Sequence, residues 1–223
     1  MLPRYERNIP SLTLEESQLL RKKTVAVIGC GGLGGYIIEQ LARLGVGAIR
    51  IIDGDVFEES NLNRQLFSDV NVLGKPKTDV SRARIAAVNP DVLVQSLYGY
   101  LDDQNAEPFL DGCDAVVGAL DNIYTRRILE KTCEKLGIPY IYGAIHGWVA
   151  QVAVDMPGQR LIEKMYPEGA SFKDKSSLSF TPGLCASMQT ALCVKLLVGR
   201  QVQTGTIFYF DMLEQEFETI PMC

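Results

Sequence analysis

Short apolar runs rich in β-branched residues alternate along this chain with longer stretches of helical apolar spacing. That alternation predicts βαβ units built around a mostly parallel sheet. Thr24 to Ile28 reads as the first strand, and glycines lead from it into a helix from about Leu33 to Leu44. Ala48 to Ile52 forms the second strand and ends at Asp53. A helix from about Thr78 to Val88 stops at Asn89-Pro90, because proline disfavours helical geometry in the residue before it. Strands follow near Val92 to Leu97 and Ala115 to Val117.

The next helix runs from Ile123 to Leu136, is closed by Gly137, and is expected to carry Arg126, Arg127, Lys131 and Lys135 on its wet face. Pro139 to Ile145 and Val149 to Val154 read as antiparallel strands joined by a turn at His146-Gly147. Between Pro157 and Ser179 the pattern dissolves into Gly, Pro, Ser and Lys, the mark of a long functional or disordered loop. A last helix, Leu184 to Val198 with Gly199 as its stop, precedes strands at Ile207 to Phe210 and Glu214 to Glu218. The expected fold is α/β, a Rossmann-like and mostly parallel sheet flanked by helices, with an antiparallel C-terminal extension of the sheet. One domain spans 1–223, with a nucleotide-binding part at about 20–145, a crossover-type loop at about 157–180, and the C-terminal helix and strands at 184–223.

Composition narrows the function classes. The 223 residues are 47% hydrophobic and 22% charged, enough to close one sizeable core. A net charge of -5 gives no electrostatic footprint for nucleic acid. Cys30, Cys113, Cys133, Cys185, Cys193 and Cys223 are scattered without a C-x-x-C pair, which reads as reduced thiols in a cytoplasmic protein. The charged start, Met1 to Arg7, is not followed by an apolar segment, so no signal peptide is expected. Ala191 to Val198 carries Lys195 and falls far short of the roughly 20 residues that span a membrane, so no membrane partner is expected either.

The strongest chemical signal is Val25-Ala26-Val27-Ile28-Gly29-Cys30-Gly31-Gly32-Leu33-Gly34, a strand, a G-x-G-x-x-G turn and a helix start. Such glycines let the backbone approach a phosphate, and the helix N-terminus offers free N–H groups and a positive dipole end. Asp53, 19 residues after Gly34, is placed to accept hydrogen bonds from ribose hydroxyls. Alone, this says only that a nucleotide binds; a structural turn and a capping aspartate are the plainer readings. Asp55 to Gln65, including Ser60, Asn61 and Arg64, and Gly74-Lys75-Pro76-Lys77 add polar and cationic groups beside the turn. Arg64 and Lys77 are either surface charges or cations for a triphosphate. Asp121, after the strand at Val116-Val117, is either a helix cap or a holder of Mg²⁺ between phosphate oxygens.

Five motifs in order, Gly29-x-Gly31-Gly32-Leu33-Gly34, Asp53-x-Asp55, Asn61 to Gln65, Gly74 to Lys77 and Leu120-Asp121-Asn122, resemble the ThiF/MoeB/HesA family, bacterial relatives of ubiquitin-activating enzymes. The resemblance covers residues 1 to about 155 and continues weakly through Gly183, Gln189 and Lys195. It implies an ATP-dependent adenylyltransferase that activates the C-terminal carboxylate of a small ubiquitin-like carrier ending in Gly-Gly, of the ThiS or MoaD type. ATP and Mg²⁺ are the implied cofactors. Gly32, Asp53, Ser60 to Arg64, Lys77, Asp121 and Asn122 would line the ATP pocket, with Asp121 holding the metal. Arg4 to Ile9 resembles an N-terminal segment whose second arginine reaches the neighbouring subunit's ATP, which makes Arg7 a catalytic candidate beside Arg64, Lys77 and Asp121 and implies a homodimer.

Some features depart from that family. Zinc-binding C-x-x-C pairs are missing, and Met165-Tyr166-Pro167-Glu168 stands where the first would fall, so no zinc is expected. The segment Pro157 to Pro182 holds no cysteine for a thioester or persulfide. Cys185 is either a thiol of lowered pKa near a helix start or a buried structural thiol. His146 and Trp148, in a turn, receive no catalytic role. Competing readings are a nicotinamide-dependent oxidoreductase, a non-catalytic nucleotide-binding scaffold, and an enzyme like the tRNA threonylcarbamoyladenosine dehydratases.

Overall fold

The computed structural model describes residues 2–167, 169–170 and 176–222. Eight strands form one sheet in the order β3-β2-β1-β4-β5-β6-β7-β8: β1 (Thr24–Ile28), β2 (Ala48–Asp53), β3 (Leu93–Tyr98), β4 (Ala115–Gly118), β5 (Tyr140–His146), β6 (Val149–Asp155), β7 (Thr206–Asp211) and β8 (Glu216–Pro221). Strands β1 to β5 pair parallel, and β6, β7 and β8 add on antiparallel. The expected sheet and its C-terminal extension are both present.

Alternation along β1 explains the layering. Val25 and Val27 join one core with α2 (Gly32–Leu44), α3 (Lys77–Val88) and α7 (Phe180–Leu197), while Ala26 and Ile28 join a second core with α4 (Ala106–Leu110) and α5 (Ile123–Leu136). A strand buried on both faces reads as a continuous apolar run. The sheet reverses its direction of growth between β1 and β4, and that is where a crevice opens at the carboxyl ends of the strands.

Several expectations are corrected. Helix α1 (Leu14–Leu20) precedes the first strand, held by a capping box between Thr13 and Glu16. Helix α6 (Leu161–Met165) interrupts the loop expected over Pro157 to Ser179; residues 168 and 171–175 of that loop, and Cys223, lie outside the described residues. Helix α7 begins at Phe180 instead of Leu184, because Pro182 sits in its first turn, where no intrahelical N–H is needed. Arg126 is not on the wet face of α5. It is 3% exposed, because its guanidinium satisfies the carbonyls of Gly143 on β5 and of Leu120 just past β4.

Candidate functional site

Two close approaches dictate glycine in the β1–α2 turn. Gly29 has φ of 101°, and a Cβ there would lie 2.5 Å from the Ala119 carbonyl oxygen. A Cβ on Gly34 would lie 1.9 Å from the Gly29 carbonyl oxygen. Gly34 thus packs the helix start onto the turn, while Gly29, Gly31, Gly32 and Leu33 line the pocket. No side chain caps α2 at Gly31, so its first N–H groups are available to an anion.

The pocket has a volume of about 420 Å³ and straddles the β1/β4 reversal. Asp53 accepts from the Cys30 N–H at 2.7 Å and the Asp55 N–H at 2.8 Å, so it also braces the glycine turn. Burial pushes its carboxyl above the ordinary range, against those two bonds. Lys77, 5% exposed, donates to Asp55 Oδ2 at 2.9 Å, and the Tyr100 hydroxyl donates to Oδ1 at 2.6 Å. Burial raises the Asp55 carboxyl, but the bonds from Tyr100 and Lys77 outweigh it and hold it below its usual range. The same bond pushes Tyr100 up to about 12.

Among the other candidates, Asn61, Arg64, Gln65, Asp121 and Asn122 line the pocket. Arg64 donates to the Ser60 carbonyl and to Asn63 Oδ1, neither of them a carboxylate. Gln65 is buried and its Oε1 has no partner among the described residues. The cap of α5 is Asn122, which accepts from the Thr125 N–H at 2.8 Å, so Asp121 is not spent on capping. Ser60 is exposed outside the lining, its backbone serving Arg64. Arg7 lies in a 3-10 helix, Pro3–Asn8, that Tyr5 packs against Gly45 at the far end of α2, roughly 20 Å of helix from the glycine turn. Within one chain, Arg7 does not join the site.

A second wall escaped the sequence reading. Arg126 on α5, Tyr166 just after α6, His146 and Gln151 on β5 and β6, and Ser176 and Ser177 in the segment before α7 line this side. That segment is tied down: Gly147 N–H donates to the Ser176 carbonyl, Thr181 Oγ1 to the Gly147 carbonyl at 2.7 Å, and Asn63 to the Ser177 carbonyl. Trp148 and Phe180, both half-exposed, meet in a tilted ring contact with centroids 4.9 Å apart, next in sequence to that segment and the β5–β6 turn. Only the glycine turn and charge clusters have local signatures; this wall assembles from distant residues.

Cys185 is fully buried and its thiol is pushed up to about 12 by that burial, so the low-pKa alternative is overturned and the structural one stands. Among the described residues no three His, Cys, Asp or Glu side chains gather into a metal site. Mg²⁺ needs only one or two carboxylates beside phosphate oxygens, and Asp121 in the pocket wall fits that donor set. Unpartnered polar atoms on Gln65, Arg126 and Ser177 likewise fit a polar ligand. No helix among the described residues is long and apolar enough to cross a membrane.

The sequence profile of the ThiF family matches residues 5–223. A SAMP-activating enzyme E1 of Haloferax volcanii is 34% identical over 229 residues, covering 99% of this chain and 85% of the relative. A sulfur carrier protein adenylyltransferase of Thermus thermophilus is 32% identical, covering 98% and 86%. A tRNA threonylcarbamoyladenosine dehydratase of Bacillus subtilis is 40% identical over 142 residues, covering 63% and 56%. A crystal structure of E. coli MccB with ATP superposes with a TM-score of 0.86 at 22% identity, covering 100% of this chain and 71% of that one.

Proposed function

The chain belongs to the ThiF family and is an adenylyltransferase, and from that premise we propose that it binds ATP in the pocket at the β1/β4 reversal and adenylates a carrier's C-terminal carboxylate. The carrier is a small ubiquitin-like protein of the ThiS or MoaD type ending in Gly-Gly. The observation that carries this reading is the buried Lys77 beside the uncapped start of α2, with Arg64 and Asp121 in the same lining. A nicotinamide oxidoreductase leaves those three side chains without roles.

The chemistry suits these residues. A carboxylate is ionised at pH 7 and needs no base. Its oxygen bonds to the α-phosphorus while the bond from that phosphorus to the bridging oxygen breaks, and pyrophosphate leaves with the electron pair. Arg64 and Lys77 stabilise charge on the phosphates, and the α2 N–H groups hold them in place. Asp53 takes the ribose hydroxyls. Asp121 holds Mg²⁺, which when bound supplies further charge neutralisation. By the family resemblance Arg7, which lies away from the pocket of its own chain, reaches the site of a second copy, so the protein acts as a homodimer, and its location is read as cytoplasmic.

A carrier-dependent ATP–pyrophosphate exchange assay tests the reading. Exchange is expected with a ThiS- or MoaD-type carrier and not with one lacking its terminal glycine. Arg64→Ala and Asp121→Ala each lower it by about 100-fold or more. Tighter binding of NAD than of ATP, or unchanged exchange in Asp121→Ala, refutes it. The similarity to the tRNA-modifying dehydratase supports a second substrate, a carboxylated nucleoside, but a net charge of -5 opposes tRNA binding. Exchange driven by such a tRNA and by no carrier would establish that second reading.

A further inference from the structure

Arg126 is a buried cation with which no carboxylate among the described residues forms an ion pair. Such a charge is costly unless its donors are used. Two of them are. Nη1 donates to the Gly143 carbonyl at 3.0 Å, and Nη2 donates to the Leu120 carbonyl. The guanidinium also lies over the Tyr142 ring, 4.8 Å from its centroid.

The places of those carbonyls explain the need. The parallel ladder between β4 and β5 ends at Val117 and Ile141, at the carboxyl ends of the strands where the crevice of the β1/β4 reversal lies. Although β5 keeps its ladder with β6 as far as His146, the carbonyls that face between β4 and β5 from there on have no partner in that pair. Gln189, fully buried on α7, bridges the first of them by donating to Gly118 at 2.9 Å and Ile141 at 3.3 Å. Arg126 bridges the next, one residue before Asp121, and its planar fork spans two acceptors that a lysine's single ammonium cannot reach in the same geometry.

We infer that Arg126 is a positioning residue: it clamps the turn Leu120–Asp121–Asn122 to β5 and so sets where Asp121 stands in the pocket. This rests on the ATP reading only for its functional consequence. Hydrogen–deuterium exchange on the ligand-free protein therefore reads the clamp itself. Arg126→Lys raises exchange in peptides covering residues 118–125 by about tenfold or more, with the α2 and β7 peptides unchanged. Arg126→Gln, which keeps one donor group, gives a smaller rise and serves as the second variant.

Calorimetry with Mg-ATP on the wild type, Arg126→Lys, Asp121→Ala and the double variant reads the consequence. Each single change weakens ATP by about tenfold, and the double variant is no weaker than Asp121→Ala, because Arg126 acts through Asp121. Unchanged exchange at 118–125 in both Arg126 variants overturns the clamp. Losses that multiply in the double variant overturn the action through Asp121. A wild type that fails to bind ATP refutes the functional reading, while the exchange result still decides the clamp.

Discussion

Replacing Lys77 with methionine removes more than one cation. The ammonium neutralises Asp55 at 2.9 Å, and the Asp55 carboxyl stays ionised because Tyr100 still donates to it. In Lys77→Met a triphosphate loses a charge-assisted hydrogen bond worth about 1.5–3 kcal/mol. It also meets a bare carboxylate; at roughly 6 Å and an effective dielectric near 20 that repulsion is about 3 kcal/mol. The Asp55 side chain is 51% exposed, and screening leaves about half of that figure. Calorimetric titration should show ATP weakened by about two orders of magnitude or more in Lys77→Met. Asp55→Asn alone should bind ATP as well as the wild type or better, because Lys77 no longer shares its charge. The double variant should bind about tenfold more tightly than Lys77→Met, recovering the repulsive part. A double variant no better than Lys77→Met refutes the idea that Asp55 holds Lys77 in reserve.

Glu130 and Asp155 form a buried carboxyl pair receiving the N–H groups at the start of α6, and burial beside Asp155 pushes Glu130 up to about 8. A folded value above the unfolded one stabilises at low pH and is lost as pH rises through about 8. Discounted for screening, the wild type should lose about 1–2 kcal/mol between pH 6 and 9, seen as a falling melting temperature. Glu130→Gln should flatten that profile, and an identical slope in both proteins would disprove the raised Glu130 pKa as its cause. Cys185→Ser should leave pyrophosphate exchange within about twofold, since adenylation uses no thiol. In the folded wild type, iodoacetamide at pH 8 should leave Cys185 unmodified; rapid alkylation would contradict its burial.

Every strand expected from the hydrophobic pattern is present: β1 and β4 are buried on both faces and write that into contiguous apolar residues, whereas the exposed strands β3 and β8 show only in their β-branched and aromatic residues. Helices α1, α4 and α6 escaped for local reasons. The α1 start does carry a Thr13-x-x-Glu16 capping box, but α4 and α6 have five residues each, too few for a periodicity to show. Within the site, Gly29 and Asp53 were legible because turn geometry and strand ends constrain residue type. Arg126 was not. Residues Ile123, Arg126, Glu130 and Cys133 share the buried face of α5, and two of those four are charged. Their partners, Gly143 and Leu120 for one, Asp155 and Ile162 for the other, come from elsewhere in the chain, so no local pattern marks them as inward-facing.

The ring contact between Trp148 and Phe180 has an optical consequence. The chain contains one tryptophan, and it stands on the β5–β6 turn between His146 and Val149, both in the pocket wall. Tryptophan emission, excited selectively over that of the nine tyrosines, therefore originates at a single point beside the pocket. Separation of the 176–181 segment from the turn would strip the indole of its ring neighbour and expose it to water, shifting its emission to the red. Entry of a ligand that seats that segment more firmly would shift it to the blue, so unlabelled protein in a stopped-flow cuvette would report any movement of that segment on binding.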